Sequence, residues 1–273
     1  MKFPSLKIGD LCARIPIIQG GMGIGVSLSG LAGAVAKEGG IGVISAAQPG
    51  YKEEDFFRNT FKANIRALAK HLKKAREIAP KGVIGVNVMC RGENYEDYVT
   101  CAINNGADII FSGAGLPKKL PALVEGTKTK IAPILSTAKA ARVLLHLWEK
   151  HYNRTADAIV IEGPKAGGHL GYSREEVREL AHSGYELQIQ KVLEVVRTYE
   201  EKFKKKIPVV FGGGVFDKKD IEHYLSLGLS GVQMASRFVA TKECDAADAF
   251  KQMYVKLTKK DIGLVNSPVH MVG

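Results

Sequence analysis

The sequence contains no long apolar run and few cysteines. No uninterrupted apolar stretch approaches the roughly 18 residues that a membrane-spanning helix requires. The opening residues, Met1–Asp10, lack the apolar centre of a signal peptide. The four cysteines, Cys12, Cys90, Cys101 and Cys244, are too scattered for a CxxC pair or a zinc knuckle. We therefore expect a soluble, cytoplasmic protein that keeps its thiols reduced and has no membrane partner.

Aromatic residues are scarce, at 7% of the 273 residues, and only one of them is tryptophan. They do not interleave with the lysines that give the chain a net charge of +11, as a base-stacking surface for nucleic acid would require. The lysines spread over helical patterns instead. We therefore expect a solvated basic surface that suits a small anionic ligand and does not bind nucleic acid.

Several catalytic motifs are also missing. There is no GxSxG nucleophile elbow and no Cys–His pairing signal for covalent catalysis. No second histidine or cysteine lies at metal-ligand spacing from His169, so no metal site is expected. The stretch Gln19–Gly25 is rich in glycine, but it lacks the GxGxxG spacing and the acidic residue about 20 positions later that a Rossmann nicotinamide site needs.

The chain instead alternates short apolar runs with amphipathic helical patterns. Eight runs predict strands, at 15–19, 42–45, 83–88, 108–112, 131–135, 158–161, 208–211 and 231–234. Helical patterns follow them, at about 27–38, 53–79, 95–105, 117–126, 137–150, 173–206 (interrupted), 217–227 and 243–258. Short apolar strands are typical of a parallel sheet covered on both sides. We predict a single α/β domain over residues 1–273, a (β/α)8 TIM barrel, with an open doubly wound sheet as the alternative.

Two segments, 50–80 and 172–206, are longer than one crossover helix needs. We expect both to be insertions that build on the top face of the barrel. Local signals also mark helix starts: Ser27 and Asp217 are predicted to cap the first and seventh helices, and Ser173–Glu176 has the pattern of a capping box.

The stretch Glu162–Gly171 follows the sixth predicted strand and contains one histidine, His169. Its glycines, Gly167 and Gly168 among them, have no Cβ and let the backbone approach a flat ligand closely. Histidine exchanges protons near neutral pH, so His169 is a candidate acid or base. The alternative is a solvated turn. The position at the top of a barrel strand favours the wall of a cofactor site.

A phosphate site is predicted beside this stretch. In a TIM barrel the active site lies at the carboxyl ends of the strands, and a phosphate is often held after strands seven and eight. Here the seventh predicted strand ends in Gly212, Gly213 and Gly214, and the eighth in Ala235 and Ser236. Backbone N–H groups of such turns can bind an anion, and a helix start can add its dipole. The alternative is a tight turn without a ligand.

Two polar residues lie at the ends of otherwise apolar strands. Asn87 is flanked by valines, where a lone amide is costly unless it is hydrogen-bonded; it suits the edge of a heterocycle, or else a structural bond to backbone. Glu162 can accept from ligand hydroxyls or form a structural ion pair. The loop Gln19–Met22 is expected to lie under a planar ring, with Met22 as an apolar contact.

Together these motifs resemble one family. The matching stretches, in the family's order and spacing, are Pro16–Met22, Gly85–Asn87, Ala166–Gly171, Gly212–Gly214 and Gly231–Phe238. The sequence is similar to the nitronate monooxygenase (2-nitropropane dioxygenase) family of FMN enzymes, and to the related FMN-dependent enoyl-acyl-carrier-protein reductases and NADH:quinone reductases. The motif set is specific for this group and not for one substrate.

The resemblance implies a barrel that holds FMN non-covalently over its strand ends. The residues implied to contact the flavin ring are Gln19, Gly20, Gly21, Met22 and Asn87. Glu162 is implied to meet the ribityl chain, and His169 to lie near flavin N5. The residues implied to hold the phosphate are Gly212, Gly213, Gly214, Ala235 and Ser236.

The sequence departs from the family pattern in two places. Ala235-Ser236 stands where the family usually has Gly-Thr, a change that keeps the backbone donors. The closing stretch Ser267–Gly273 differs at His270 and Val272, and family members usually continue beyond it. We therefore expect a shortened C-terminal segment that lacks a tail covering the site.

The leading functional hypothesis is an FMN enzyme that oxidises an anionic alkyl nitronate to a carbonyl compound and nitrite. In that reaction His169 binds the nitro group, or takes the α-proton of a neutral nitroalkane. The alternative enzyme reduces an enoyl thioester or a quinone with NADH, and His169 donates the proton. A third hypothesis is a flavin-binding protein without turnover. The sequence does not indicate the oligomeric state.

Overall fold

A computed structural model describes residues 3–265, except the side chains of 181–183 and 259. Its barrel strands are β3 Ile17–Gln19, β4 Ile41–Ser45, β5 Val83–Met89, β6 Ile109–Gly113, β7 Lys130–Leu135, β8 Ile159–Glu162, β9 Val209–Gly212 and β10 Gly231–Met234, after the hairpin strands β1 Leu6–Ile8 and β2 Leu11–Ala13. The eight barrel strands are all parallel to their neighbours, and β10 pairs with β3. This closure confirms the predicted TIM barrel, and the open-sheet alternative is wrong.

The helices follow the strands in the predicted alternation. They are α1 Ser29–Lys37, α2 Thr60–Ile78, α3 Tyr95–Asn104, α4 Leu120–Leu123, α5 Ala138–Tyr152, α6 Arg174–Ser183, α7 Glu186–Phe203, α8 Lys218–Ser226, α9 Ser236–Val239 and α10 Asp248–Lys256, with a 3-10 turn at Lys259–Asp261. Among the described helices, none is long and apolar enough to cross a membrane. The predicted closing stretch at 267–273 lies outside the described residues.

Most predicted boundaries agree with the structure to within two residues, and the exceptions have local causes. The second helix begins at Thr60 and not at residue 53, because residues 50–59 form successive turns. The helix predicted at 117–126 shrinks to the single turn of α4, which carries Pro121 in its first turn. The pattern predicted as one helix at 243–258 forms only α10, because residues 243–247 make a loop that contacts α1.

That loop caps α1 from the other end of the sequence. The Asp245 carboxylate accepts from the N–H groups of Leu28 at 2.9 Å, Gly30 at 2.9 Å and Leu31 at 3.0 Å. Ser27 was predicted as the cap, and this was wrong: its hydroxyl accepts from Met22 N at 2.9 Å and lies on the loop after β3. Asp245 therefore joins the last β/α unit to the first, beside the closure of the barrel.

The helices predicted with capping boxes do form as expected. The Ser173 hydroxyl accepts from Glu176 N, while the Glu176 carboxylate accepts from Ser173 N, at the start of α6. Asp217 and Asp220 make the same reciprocal pair at the start of α8.

Of the two long segments, each supplies one ordinary crossover helix. In the first, α2 packs on α1 and α3, so only the turns before it, at 50–59, extend beyond the carboxyl end of β4. In the second, α7 packs on α5 as the crossover helix, and α6 is the additional element. Gly184, at φ +81°, separates α6 from α7.

The sequence analysis missed the amino-terminal hairpin. β1 and β2 pair antiparallel, and Leu6, Ile8 and Ala13 are buried with the inward-facing apolar residues of the barrel. The Asp10 carboxylate in the turn pairs with Lys130 Nζ at 2.5 Å. The hairpin therefore closes the amino-terminal end of the barrel and leaves the carboxyl end as the open mouth.

We predict that Asp245→Ala lowers the free energy of unfolding by about 1–2 kcal/mol, because three N–H groups at the start of α1 lose their acceptor. Urea unfolding would measure it. Glu243→Ala is the matched control, since this substitution removes the same charge from an exposed position. Equal stability of the two variants would contradict the capping role of Asp245.

Candidate functional site

The barrel interior changes from apolar to polar toward its mouth. Side chains alternate along each strand, so the residue two positions beyond an inward-facing core residue also faces inward. Val43, Val83, Val160 and Val210 belong to the apolar interior cluster. At the carboxyl ends of the same four strands the inward positions are Ser45, Asn87, Glu162 and Gly212. The mouth therefore presents polar or bare positions above an apolar floor.

Two of these inward positions, Glu162 and Gly212, lie side by side with a further inward residue, Gln233, on neighbouring strands. Gly212 pairs in register with Glu162 on one side and with Gln233 on the other. A Cβ built on Gly212 would lie 3.2 Å from the Gln233 side-chain nitrogen. The Gln233 side chain thus packs over the bare backbone of Gly212, beside the strand that carries Glu162. Gln233 was not predicted as a site residue, although its place between the outward Val232 and Met234 could have shown that it faces inward.

The Glu162 carboxyl has no partner in the part of the chain that the structure describes. It makes no hydrogen bond and no ion pair there, so the structural ion pair considered from the sequence does not form with those residues. Burial raises the pKa of this carboxyl from 4.5 to about 7. A buried carboxyl without a partner is costly unless a ligand supplies donors.

Asn87 lies under the loop after β3. A Cβ on Gly21 would overlap the Cβ of Asn87, so only glycine lets the loop pass this close. Gly20 N donates to Met234 O at 2.8 Å, which joins the same loop to β10. Between residues 3 and 265 no hydrogen-bond partner is found for the Asn87 amide. The amide therefore remains available to the edge of a ligand.

The Gln19 side chain makes its hydrogen bonds to β4 and to the loop after β3. Its side chain is fully buried, with the amide oxygen accepting from Val43 N at 3.0 Å and the amide nitrogen donating to Gly20 O at 2.5 Å and Ser27 Oγ at 2.9 Å. Met22 is half-buried and packs against Val26 and Val239. Gln19 thus fixes the path of the glycines that follow it.

The glycine turn after β9 carries free backbone donors. Gly213 and Gly214 have φ of +129° and +77°, and the N–H groups of Gly213, Gly214 and Val215 meet no acceptor among the described residues. Asp217 already accepts from Lys219 N and Asp220 N at the start of α8. An anion at this turn would therefore rest on the glycine amides, with Ala235 and Ser236 at the end of β10 beside them.

The stretch Glu162–Gly171 is held at both ends and open in the middle. Gly163 N donates to Gly212 O at 2.8 Å, and a Cβ on Gly171 would lie 2.5 Å from Ser136 Oγ. Gly167 and Gly168 are exposed, with Gly168 at φ +92°. His169 is half-buried and makes no hydrogen bond with the residues described. The His169 imidazole therefore lies on an exposed segment, here called the His169 arc, that is held in place at Gly163 and Gly171.

Two buried tyrosines, Tyr172 and Tyr185, hold the carboxyl-terminal end of the His169 arc in place. The Tyr172 hydroxyl lies 2.6 Å from Ser136 O, 3.1 Å from Glu162 O and 2.6 Å from the Tyr185 hydroxyl. Tyr185 also donates to Ser136 O. Burial raises the pKa of Tyr172 to about 12, so it stays a neutral hydrogen-bond donor. The pair couples α6 and α7 to the ends of β7 and β8.

We predict that Glu162→Gln stabilises the protein, once freed of any ligand, by up to about 3 kcal/mol above pH 7. The unfolded carboxyl ionises near its ordinary value of 4.5 and the folded one near 7. The native protein therefore loses stability as pH rises through this window, and the glutamine variant does not. Thermal unfolding from pH 4 to pH 8 measures it.

Glu125→Gln is the control for this experiment, since Glu125 is exposed and its loss should leave the pH profile unchanged. Parallel pH profiles for native protein and Glu162→Gln would show that the carboxyl is not desolvated as described.

Known proteins resemble this chain along most of its length. A 5-hydroxy-7a-methyl-1-oxo-octahydro-1H-indene-4-carboxyl-CoA dehydrogenase of Mycobacterium tuberculosis is 27% identical over 88% of this chain and 57% of its own. A Staphylococcus saprophyticus protein named "Probable nitronate monooxygenase" is 23% identical over 97% of this chain and 76% of its own. The chain thus spans little more than half the length of the first relative.

The fold likeness extends to solved structures. FabK from Thermotoga maritima superposes with a TM-score of 0.72 and 25% identity, over 94% of this chain and 70% of that one. The family model described as nitronate monooxygenase matches residues 5–271, which include every strand of the barrel and every group placed at its mouth. The chain therefore belongs to the nitronate monooxygenase family.

Proposed function

We propose that the protein is an FMN-dependent oxidoreductase whose substrate is an alkyl nitronate, converted with oxygen to a carbonyl compound and nitrite. The observation that carries the cofactor assignment is the set of unpartnered polar groups at the mouth. These are the Asn87 amide, the Glu162 carboxyl, the Gln233 amide and the N–H groups of Gly213 and Gly214. Family membership supports the choice of a flavin.

The residues at the mouth fit the three parts of FMN. The bare loop of Gly20 and Gly21 and the Asn87 amide suit the face and edge of a flat heterocycle. The Glu162 carboxyl and the Gln233 amide, on the two strands that flank Gly212, suit a chain of hydroxyl groups. The donors of the glycine turn suit a phosphate. Donors and acceptors thus follow the order ring, hydroxyls, phosphate across the mouth.

The flavin, when bound, supplies the electron transfer, and the protein supplies position, charge and exclusion of water. His169 would donate a hydrogen bond to the nitro group of a nitronate. With a neutral nitroalkane it would accept the α-proton instead. The net charge of +11 would raise the local concentration of an anionic substrate.

A second candidate is reduction of an enoyl thioester with NADH, the alternative to which the sequence analysis also joined a quinone. The name of the Mycobacterium tuberculosis relative specifies a carboxyl-CoA substrate, and that protein is 27% identical to this chain. The same residues would hold the flavin in this reaction, and His169 would protonate the product. A large thioester would require room above the mouth that a small nitronate does not need.

We predict that the purified protein shows the visible bands of a flavin, and that a nitronate bleaches them without oxygen while NADH does so slowly. Anaerobic stopped-flow absorbance measures both rates. Fast bleaching by NADH with none by nitronate would replace the leading candidate with the second one. A protein that has no flavin and binds no added FMN would contradict both.

We predict that His169→Ala keeps FMN bound but lowers kcat with a neutral nitroalkane by about a hundredfold, the range of general base catalysis. The loss with a preformed nitronate should be smaller, since no proton has to be removed. Steady-state kinetics with both substrates measure the difference.

His146→Ala is the matched control, because His146 is exposed on α5. Full activity of His169→Ala with both substrates would make the His169 arc a wall of the binding site only.

A further inference from the structure

The side chain of Lys165 lies on the glycine turn after β9. A Cβ built on Gly214 would be 3.2 Å from both Cβ and Cδ of Lys165. One residue earlier, a Cβ on Gly213 would be 3.2 Å from the backbone nitrogens of Gly163 and Ala166. The stretch that carries Lys165 therefore crosses directly over the turn, and the lysine stem covers the bare face of Gly214.

The charge of Lys165 is not neutralised by the described part of the protein. Its side chain is exposed, and neither an ion pair nor a hydrogen bond joins it to residues 3–265. The nearest acidic residues along the chain after the turn are Asp217 and Asp220, and both are committed to the start of α8. The stem of this cation thus lies on the turn that carries the free donors of Gly213, Gly214 and Val215.

A second cation contacts the residue that lies two positions after the turn. The Arg237 guanidinium stacks on the exposed ring of Phe216 at 4.6 Å from its centroid. Phe216 follows Gly214 by two residues, and Arg237 lies in α9, the helix after β10. The turn after β9 therefore has a cation from the loop after β8 on it and a second cation, from α9, stacked on Phe216.

We infer that Lys165 is a specificity-determining residue that selects a phosphorylated flavin over riboflavin by neutralising the phosphate on the Gly213–Gly214 turn. The inference rests on the proposed function, because it takes the flavin ring to lie at the mouth. Backbone N–H groups alone orient a phosphate but leave its charge uncompensated. An ammonium group carried over the same turn supplies the compensation that a neutral loop would lack.

The test compares the dissociation constants of FMN and riboflavin for flavin-free native protein and for Lys165→Gln, by quenching of flavin fluorescence. The variant should bind FMN about threefold to fivefold more weakly, as expected for one exposed charge pair, and riboflavin with unchanged affinity. Added salt should weaken FMN binding by the native protein more than by the variant. Lys165→Arg should recover most of the FMN affinity.

Lys81→Gln is the control, because Lys81 is an exposed lysine just before β5, at the closed end of the barrel. Arg237 is less suited to the test, since its replacement also removes the contact with Phe216. Equal changes for FMN and riboflavin, or no change for either, would overturn the role of Lys165 while leaving the flavin site intact. Native protein that binds neither flavin would overturn both this role and the proposed function.

Discussion

Closure of the barrel between β10 and β3 is the constraint on which the mouth depends. Because all eight strands run parallel, their carboxyl ends meet in one ring, and each inward position at that level points toward the same space. Closure brings the loop after β3 against β10 through Gly20 and Met234. Asp245, which follows β10 in the chain, adds a second connection there by capping α1, the helix that follows β3. Residues more than two hundred positions apart thereby form one site.

The sequence predicted the architecture well because its signals are local and repeated. Eight apolar runs, each followed by an amphipathic pattern, left few alternatives to the barrel, and Asn87 and Glu162 could be placed at strand ends by counting. The cap of α1 could not be found in this way, because Asp245 reaches it only after closure. Ser27 was misjudged for the same reason. The polar groups of Ser27 and Gln19 bond to each other, and Gln19 also bonds to β4, which their neighbours in sequence do not indicate.

The polar groups at the mouth indicate a bound ligand more strongly than any single motif does. A carboxyl group, two amides and several backbone donors meet there, and these mostly half-buried groups have no protein partner among the described residues, so they are open to a ligand. Glu162 shows the consequence, because its desolvation raises the pKa toward neutrality. A ligand that brings hydroxyl donors to Glu162 and a phosphate to Gly213 and Gly214 would satisfy these groups together.

A crystal structure of the protein grown with FMN tests the central claim most directly. The account predicts a flavin ring between Asn87 and the loop of Gly20 and Gly21, hydroxyl groups within hydrogen-bond reach of Glu162, and the phosphate on the amides of Gly213 and Gly214. Flavin bound elsewhere on the protein, or electron density for no flavin at the mouth at saturating FMN, would contradict it.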